Sequence, residues 1–268
     1  MKFIFFLLAI LCGIATKAQV ILNNAVVKAK MEIYSGSNGN VTAPAGGITD
    51  IEIYLKDTMS KVNRGIHPNF KSIAIMNMNS NVSTFLNESI SGEKTGFTYT
   101  ALDKQTQKRK ADSISRMQQE NIGGEDGTFK KSVATGINAV KNILYVEDLK
   151  TINGIECKKA IITIENIDRE ESKIPVWYSP LYIIPKGVGG EIGMMSFDGL
   201  KGMPIYYESV KTISVAATEM SLITIYQVTE IKTPVIIEDS AFHVPLGYTL
   251  KTYTEWENEN STRNKKVN

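Results

Sequence analysis

Apolar and polar residues alternate with a period of two along most of this chain, and this pattern restricts the fold more than any other feature of the sequence. Between residues 27 and 33, and again between 51 and 55, every odd position is apolar and the positions between them are mostly charged. Because successive side chains of a strand point to opposite faces, this pattern predicts half-buried β-strands. Further alternating runs cover residues 70–78, 82–86, 95–102, 157–165, 176–179, 205–211, 220–231 and 248–256.

Short turn signals separate several of these runs. They are the segment from Asn79 to Asn81, the pair Ser91-Gly92 and the pair Asn153-Gly154. Asn-Gly favours the tight turn of a β-hairpin, and links this short join strands that are neighbours in a sheet. The sequence therefore predicts a mainly β protein of the α+β class, built as a curved antiparallel meander around an apolar interior, with one or two short helices.

The helices are expected where the alternation stops. From residue 104 to 121, Ala111, Ile114 and Met117 fall on one side of a short amphipathic helix, which Gly123-Gly124 would end. A second and weaker helical pattern runs from Val133 to Val140, with a glycine inside it.

The first eighteen residues have the layout of a secretory signal peptide. One early positive charge, Lys2, precedes an apolar run from Phe3 to Ile14, and small residues lead to a break after Ala18. The run is shorter than the ~20 apolar residues that a transmembrane helix needs. We expect cleavage after Ala18 and a mature chain that begins at Gln19, has no transmembrane segment and is exported, to the periplasm or cell envelope or beyond it.

The mature chain is expected to contain one folded β domain, residues 19–257, followed by a disordered polar tail, residues 258–268, which has little to bury. Loss of residues 1–18 removes two of the 30 basic residues and no acids, so that 28 basic residues balance 28 acidic ones. This balance, without a clustered positive field, argues against nucleic acid as a partner.

No catalytic or metal-binding constellation is recognisable in the sequence. His67 and His243 are the only histidines, and neither has another ligand-type residue at metal-binding spacing. Cys157, the one cysteine left after cleavage, lies in an alternating run and is expected to be a buried, unreactive thiol. The glycine-rich run 187–193 has Ile192 where the dinucleotide fingerprint needs its third glycine. We therefore expect no enzyme, no cofactor and no metal.

Four segments of the C-terminal half stand out: TINGIECKKA (151–160), VWYSP (176–180), FDGLKGMPIYYE (197–208) and DSAFHVPLGYTL (239–250). Glycines 199 and 202, with Pro204, predict a turn that enters a strand rather than a phosphate-binding loop. Together the segments resemble the hallmarks of a family of secreted bacterial proteins of unknown function with a GLPGLI-like signature. This family is similar in fold to the LolA-like envelope proteins, so the resemblance, over residues 25–256, implies a LolA-like half-barrel in which a curved antiparallel sheet is closed by helices.

Two functional hypotheses follow. In the first, the concave face of the half-barrel carries an acyl chain, a lipid or a lipoprotein, because methionine and aromatic side chains adapt to apolar partners. In the second, the interior is fully packed, no small-molecule ligand is bound, and the protein is an interaction module of the envelope that works through its outer surface and loops. Neither hypothesis fixes the oligomeric state. The expected ligand-binding side chains of the first hypothesis are Trp177, Met194, Met195, Phe197, Met203 and Met220.

Three triplets resemble the Asp-Ser/Thr-apolar acceptor sequence of a bacterial O-glycosylation system that acts on exported proteins. They place the acceptor hydroxyl at Thr58, Ser113 and Ser240. Glycans at these positions would help to solubilise a surface without net charge.

Overall fold

The fold was analysed in a computed structural model. The structure describes residues 18–37, 40–67, 70–107, 109–110, 139–165, 171–185, 197, 199–215 and 218–265. Within these residues the strands are β1 (Val20–Ile21), β2 (Asn24–Ser37), β3 (Asn40–Lys56), β4 (Met59–His67), β5 (Phe70–Asn77), β6 (Val82–Glu88), β7 (Lys94–Tyr99), β8 (Ala139–Ile152), β9 (Ile155–Glu165), β10 (Glu171–Ser179), β11 (Tyr182–Ile183), β12 (Met203–Val215), β13 (Thr218–Lys232) and β14 (Thr249–Thr252). The helices are α1 (residues 101–107 and 109–110), a 3-10 helix (Asp239–Phe242) and α2 (Tyr253–Lys265).

Twelve of these strands form one sheet, in the order β14-β7-β6-β5-β4-β3-β2-β13-β12-β10-β9-β8. Strands β2 to β7 form one antiparallel meander and β8 to β13, without the short β11, form a second. The two meanders are joined where the first strand of one, β2, pairs antiparallel with the last strand of the other, β13. This arrangement confirms the prediction of a mainly β, antiparallel-dominated fold. Among the described strands the sheet is not closed, which is consistent with a half-barrel.

The hairpin turns lie where the turn signals predicted them. Asn153 and Gly154 both have positive φ, 49° and 78°, as the tight turn between β8 and β9 requires. Asn81 (φ 52°) and Gly92 (φ 80°) occupy the left-handed region in the turns after β5 and β6. Each of these links joins strands that pair with one another.

The alternation in sequence becomes two distinct faces of the sheet. We call inner the face that carries the larger buried cluster, which includes Val27, Ile53, Val62, Val176 and Tyr207. The outer face carries the residues between them, such as Lys28 and Glu52, which pair with each other across β2 and β3. Burial of one face of both meanders in a single cluster explains why the two form one sheet.

The C-terminal segment, residues 233–265, wraps around the β7 edge of the sheet. On the outer face, Ile237 and Phe242 pack against Ile75 and Leu86, and the ammonium of Lys61 donates a hydrogen bond of 2.8 Å to the carbonyl oxygen of Ala241. Strand β14 then pairs parallel with β7. The segment therefore protects one of the two edges of the sheet.

Helix α2 follows β14 on the inner side of the same edge. The ring of Trp256 stacks on that of Phe97 with centroids 4.4 Å apart, and Tyr253 packs edge-on against Tyr99 at 4.9 Å. Phe97 pairs across the strands with Phe85 of the inner face. Helix α2 thus closes the end of the inner cluster.

Residues 248–256 do not form one strand, contrary to the sequence prediction. The strand ends at Thr252 and α2 begins at Tyr253. The Thr252 hydroxyl accepts a hydrogen bond from the Glu255 amide (3.3 Å), and the Glu255 carboxylate accepts one from the Thr252 amide (2.8 Å). This reciprocal capping box starts a helix locally. The helix continues through Lys265, into residues for which composition predicted a disordered tail.

A second capping box explains the start of α1. Thr100 and Asp103 exchange hydrogen bonds in the same way, at 3.3 and 2.8 Å, so that the helix begins at residue 101, three residues before the predicted segment. The predicted stripe Ala111, Ile114 and Met117 lies outside the described residues. Of the weaker helical pattern, residues 139 and 140 belong to β8, and the others lie outside the described part.

Candidate functional site

The glycines of the signature segment form a turn that leads into β12. Gly199 has φ 89°, a conformation that L side chains rarely adopt. A Cβ atom at Gly202 would collide with the carbonyl oxygen of Ser179, because β10 passes close to this turn. Strand β12 then begins at Met203, which is fully buried. The close approach of two backbones explains the second glycine.

The structure does not gather the expected ligand-binding residues into one site. Phe197, whose ring lies 5.1 Å from that of Tyr207, and Met203 belong to the inner cluster. Met220 pairs with Ile213 near the other end of the β12–β13 hairpin and is 45% exposed. Trp177 lies on the outer face, as shown below. Met194 and Met195 are outside the described residues.

The inner face between these residues is filled by its own side chains. Ile205, Tyr207 and Tyr226 are fully buried, and the two tyrosine rings stack with centroids 5.1 Å apart. Burial raises the pKa of Tyr226, and the neighbouring Tyr207 raises it further. Among the described residues the hydroxyl of Tyr226 has no hydrogen-bond partner. These side chains leave no exposed surface for a ligand.

The outer face contains an open cleft of about 580 Å³, beside the C-terminal segment. Its volume lies within the range of about 300–1,000 Å³ that is usual for ligand pockets. Strands β2 to β5 supply all but one of its residues. The cleft is lined by Lys28, Ala29, Lys30, Asp50, Ile51, Glu52, Lys61, Asn63, Arg64, Gly65, Lys71, Ser72, Ile73 and Thr229.

A missing side chain creates part of this space. Lys30, Asp50, Gly65 and Lys71 are successive cross-strand partners on β2, β3, β4 and β5, so they lie in one row on the outer face. A Cβ atom at Gly65 would meet no other atom within 4 Å. The β4–β5 register shifts directly after Gly65, and glycines and bulges within strands often mark places where a ligand approaches the backbone. We call this region the Gly65 cleft.

On the outer face, the side chains that line the Gly65 cleft include four basic and two acidic ones, since Arg64 pairs with Ile51 and points to the inner face. Lys28 is 3.5 Å from Glu230, and the Tyr54 hydroxyl donates a 2.7 Å hydrogen bond to Glu52. Burial, with this hydrogen bond, raises the pKa of Tyr54 to about 12. Burial lowers the pKa of Lys61, while Glu52 opposes that shift.

One polar atom of the cleft lining lacks a partner. The side-chain carbonyl oxygen of Asn63 is buried and accepts no hydrogen bond from the described residues. Buried polar atoms are nearly always hydrogen-bonded in native proteins, so an atom of this kind needs an explanation. A bound ligand that donates a hydrogen bond is one.

The row that contains Gly65 continues towards the second meander and ends in two aromatic rings. Lys30 pairs with Gln227, Gln227 with Tyr206, and Tyr206 with Trp177. Direct cross-strand partners share a face, so Trp177 and Tyr206 lie on the outer face. We call them the aromatic pair.

Two lysines lie over the aromatic pair. The ammonium nitrogen of Lys150 is 5.6 Å from the centroid of the Trp177 ring and 5.9 Å from that of Tyr206. Lys159 lies 5.6 Å from the Trp177 ring and 3.2 Å from a carboxylate oxygen of Asp148. Cations at these distances are attracted to the ring faces.

The two glycosylation candidates that the structure describes, Thr58 and Ser240, lie near one another although they are far apart in sequence. Thr58 is half-buried in the turn between β3 and β4, and Ser240 is exposed in the 3-10 helix. The Asp239 carboxylate beside Ser240 is 2.6 Å from the ammonium of Lys56, which holds the pKa of Asp239 below its usual range. Ser113 lies outside the described residues. Modification at these hydroxyls stays a prediction.

Sequence reasoning missed the residues of the Gly65 cleft because β4 has no apolar alternation. In Met59–His67 only Val62 stands out as an inward apolar residue with polar neighbours on both sides. The one available signal was Gly65 itself, a glycine inside a polar run, and this signal cannot be located on a face without the register.

In the described part of the chain, no group of three or more His, Cys, Asp or Glu side chains could hold a metal ion. No helix in that part is long and apolar enough to cross a membrane. Cys157 is 2% exposed, and burial raises the pKa of its thiol to about 11, as expected from its place in a strand.

Comparisons with known proteins give only distant similarities. No family model matches the chain, and no curated protein matches it. PNGF-II, solved in C2 and P21 space groups, aligns over 87% of this chain and 32% and 33% of the solved chains, with TM-scores of 0.36 and 0.35 and identities of 10% and 9%. The chain therefore spans about a third of the length of PNGF-II.

A putative outer membrane lipoprotein-sorting protein domain from Vibrio parahaemolyticus is a weaker neighbour. It aligns over 82% of this chain and 88% of its own length, at 8% identity and a TM-score of 0.17. Similarity at this level assigns no function. Membership of the family with the GLPGLI-like signature stays a prediction.

Proposed function

We propose that this protein is an exported, non-catalytic binding protein of the cell envelope whose ligand is a polar molecule held in the Gly65 cleft. The observation that carries the proposal is the cleft itself, about 580 Å³ of open space on the outer face with four basic and two acidic side chains in its lining. A molecule with several hydrogen-bonding groups can be oriented by such a lining, whereas an acyl chain gains free energy only from apolar burial.

The buried inner face also favours a ligand on the outer face over an acyl chain on the concave face. Met203, Ile205, Tyr207 and Tyr226 have no exposed area to offer an acyl chain. The signal-peptide layout of residues 1–18 supports export, and the absence of a recognisable catalytic constellation in the sequence supports a binding role. The proposal shares the packed inner face and the working outer surface with the second hypothesis, and it differs from that hypothesis in having a small polar ligand.

Amide NMR of the ¹⁵N-labelled protein, exported by its own N-terminal segment, tests this function. A library of sugars, sugar acids, amino acids and inorganic phosphate is added one compound at a time. At least one compound should shift the amide signals of Lys30, Asp50, Gly65 and Lys71 in a saturable manner. A Gly65→Val variant should weaken or lose these shifts, because its side chain enters open space and occupies the part of the cleft between Asp50 and Lys71.

Valine is favoured in strands, so this variant should keep the circular dichroism spectrum and thermal midpoint of the parent protein. Two results would contradict the proposed function. One is a library that leaves every cleft amide unshifted. The other is saturable uptake of a fluorescent fatty acid by delipidated protein, with shifts at inner-face residues such as Tyr207 and none in the cleft.

A further inference from the structure

We infer that the ligand is an acidic oligosaccharide that lies across the strands of the outer face, from the aromatic pair to the Gly65 cleft. This inference rests on the proposed function and makes its ligand specific. Trp177, Tyr206, Gln227, Lys30, Asp50, Gly65 and Lys71 are consecutive partners on seven adjacent strands. The juxtaposition of an aromatic end, a polar middle and a cationic cleft in one row carries the inference.

The length of the row requires an extended ligand. Neighbouring strands lie about 4.8 Å apart, so the six intervals between Trp177 and Lys71 span about 29 Å. One monosaccharide cannot contact both ends. A short linear polymer that runs perpendicular to the strands can do so, and it would use each strand of the row for one contact.

The aromatic end fits a sugar ring that carries a negative charge. The face of an indole or phenol ring is a flat apolar surface against which the C–H groups of a pyranose can pack. The ammonium groups of Lys150 and Lys159 lie 5.6 Å from the centre of the Trp177 ring. A sugar stacked on Trp177 would take the place of these ammonium groups over the ring, and its carboxylate would then meet Lys150 and, next to Asp148, Lys159. Such charge-assisted hydrogen bonds are the stronger ones.

The rest of the row fits a ligand with both hydroxyls and negative charges. The amide of Gln227 and the carboxylate of Asp50 accept hydrogen bonds from hydroxyl groups, and the amide also donates. Asp50 and Lys71 flank the gap at Gly65, and Lys30 lies one strand beyond Asp50. Both lysines are exposed, and in the described part of the chain no ion pair involves either of them. A neutral sugar would leave both lysines without a counter-charge, and an anion without hydroxyl groups would leave Asp50 without a donor.

Calorimetric titration with hexagalacturonate, a linear uronic acid polymer, tests the inference. The hexamer should bind, and the dimer should bind at least tenfold more weakly because it cannot reach both ends of the row. The fully methyl-esterified hexamer is the matched neutral ligand and should also bind at least tenfold more weakly than the acid form. Binding of the acid form should weaken as salt is added, since exposed charges are screened.

Variants at each end of the row locate the path. Trp177→Ala should weaken hexamer binding at least fivefold, and Trp177→Phe should restore part of the loss because a ring face remains. The double variant Lys30→Glu, Lys71→Glu should weaken it at least tenfold. Lys158→Glu is the control, because Lys158 is exposed on β9 next to Lys159 but points to the other face, and it should bind as the parent does.

Several outcomes would overturn the inference. Equal affinity for the acid and its methyl ester removes the charge requirement, and equal affinity for a glutamate hexapeptide removes the saccharide. A loss in the lysine variant without a loss in Trp177→Ala removes the extended path. If no oligosaccharide binds while another polar compound shifts the cleft amides, this inference fails and the proposed function stands; if nothing shifts the cleft amides, both fail.

Discussion

Single buried polar atoms are the residue-scale features with the clearest energetic consequences in this protein. The hydroxyls of Tyr54 and Tyr226 differ in their surroundings, because the first donates a hydrogen bond to Glu52 and the second has no partner among the described residues. A buried hydroxyl without a partner costs about 1–3 kcal/mol, whereas a satisfied one contributes about 1 kcal/mol. The same chemical group therefore acts in opposite directions at the two positions.

Removal of the Tyr226 hydroxyl should stabilise the protein. In Tyr226→Phe we expect the free energy of unfolding to rise by about 1 kcal/mol, because an unsatisfied polar atom leaves the core and the ring contact with Tyr207 stays. Tyr54→Phe is the control and should lower it by about 1 kcal/mol. Urea denaturation measures both. A destabilised Tyr226→Phe would mean that the hydroxyl does have a partner.

The Cys157 thiol should react slowly and titrate late. Burial raises its pKa from 9.0 to about 11, so the folded state holds the proton that the unfolded state loses first. The contribution of this group to stability is therefore present below pH 9 and is lost as the pH rises towards 11. A bulky thiol reagent at pH 8 should label the native protein far more slowly than the urea-unfolded chain, and equal rates would show that the thiol is exposed.

At the scale of elements, short local motifs decide where strands end. Both α1 and α2 begin with a threonine whose hydroxyl and amide exchange hydrogen bonds with an acid three residues later. The acid also lies where the helix dipole favours negative charge. These contacts stop β7 at Tyr99 and β14 at Thr252 although the apolar pattern continues.

Loss of the cap at α2 should loosen the C-terminal segment. In Thr252→Ala the Glu255 amide loses its acceptor, so we expect a loss of about 1 kcal/mol in the free energy of unfolding and faster amide hydrogen exchange in residues 253–260. Thr252→Ser keeps the hydroxyl and is the control. Unchanged exchange in the alanine variant would show that ring packing on Phe97 alone holds the helix.

The β8 edge of the sheet, which no other described strand pairs with, is the counterpart of the capped β7 edge. Strand β8 exposes Leu144 and Leu149, at 56% and 76%, yet its register with β9 shifts twice and it carries lysines and acids along its length. Bulges and charges of this kind discourage pairing with other chains. The β7 edge is thus protected by the C-terminal segment, whereas the β8 edge depends on its bulges and charged residues.

At the scale of the whole molecule, the C-terminal segment holds apolar surface on both faces of the first meander out of water. Ile237 and Phe242 cover Ile75 and Leu86 on the outer face, and Trp256 covers Phe97 on the inner side. Because this segment follows both meanders in the sequence, it can be removed in steps without interrupting either of them.

Stepwise truncation should separate the contribution of the outer-face cover from that of helix α2. A chain ending at Lys232 should aggregate on purification, because it exposes the outer cluster and the β7 edge together. A chain ending at Thr252 keeps the outer cover and β14, so it should stay soluble with a lower thermal midpoint. Size-exclusion chromatography and thermal unfolding measure both. A soluble monomer from the shorter chain would contradict this account of the segment.

Local patterns in the sequence were enough for most of the strands, for three hairpin turns and for the burial of Cys157, because period-two alternation and Asn-Gly pairs act through neighbouring residues. They were not enough for β4 and β8, where the alternation is weak or absent. The capping boxes were equally local, and they were missed only because the apolar pattern of residues 95–102 and 248–256 continued past them. Pairing of β2 with β13, about 190 residues apart, depends on burial of a shared face and leaves no local mark. The same pairing sets the register that puts Trp177, Lys30 and Gly65 in one row, so the candidate site existed only once the tertiary structure was known.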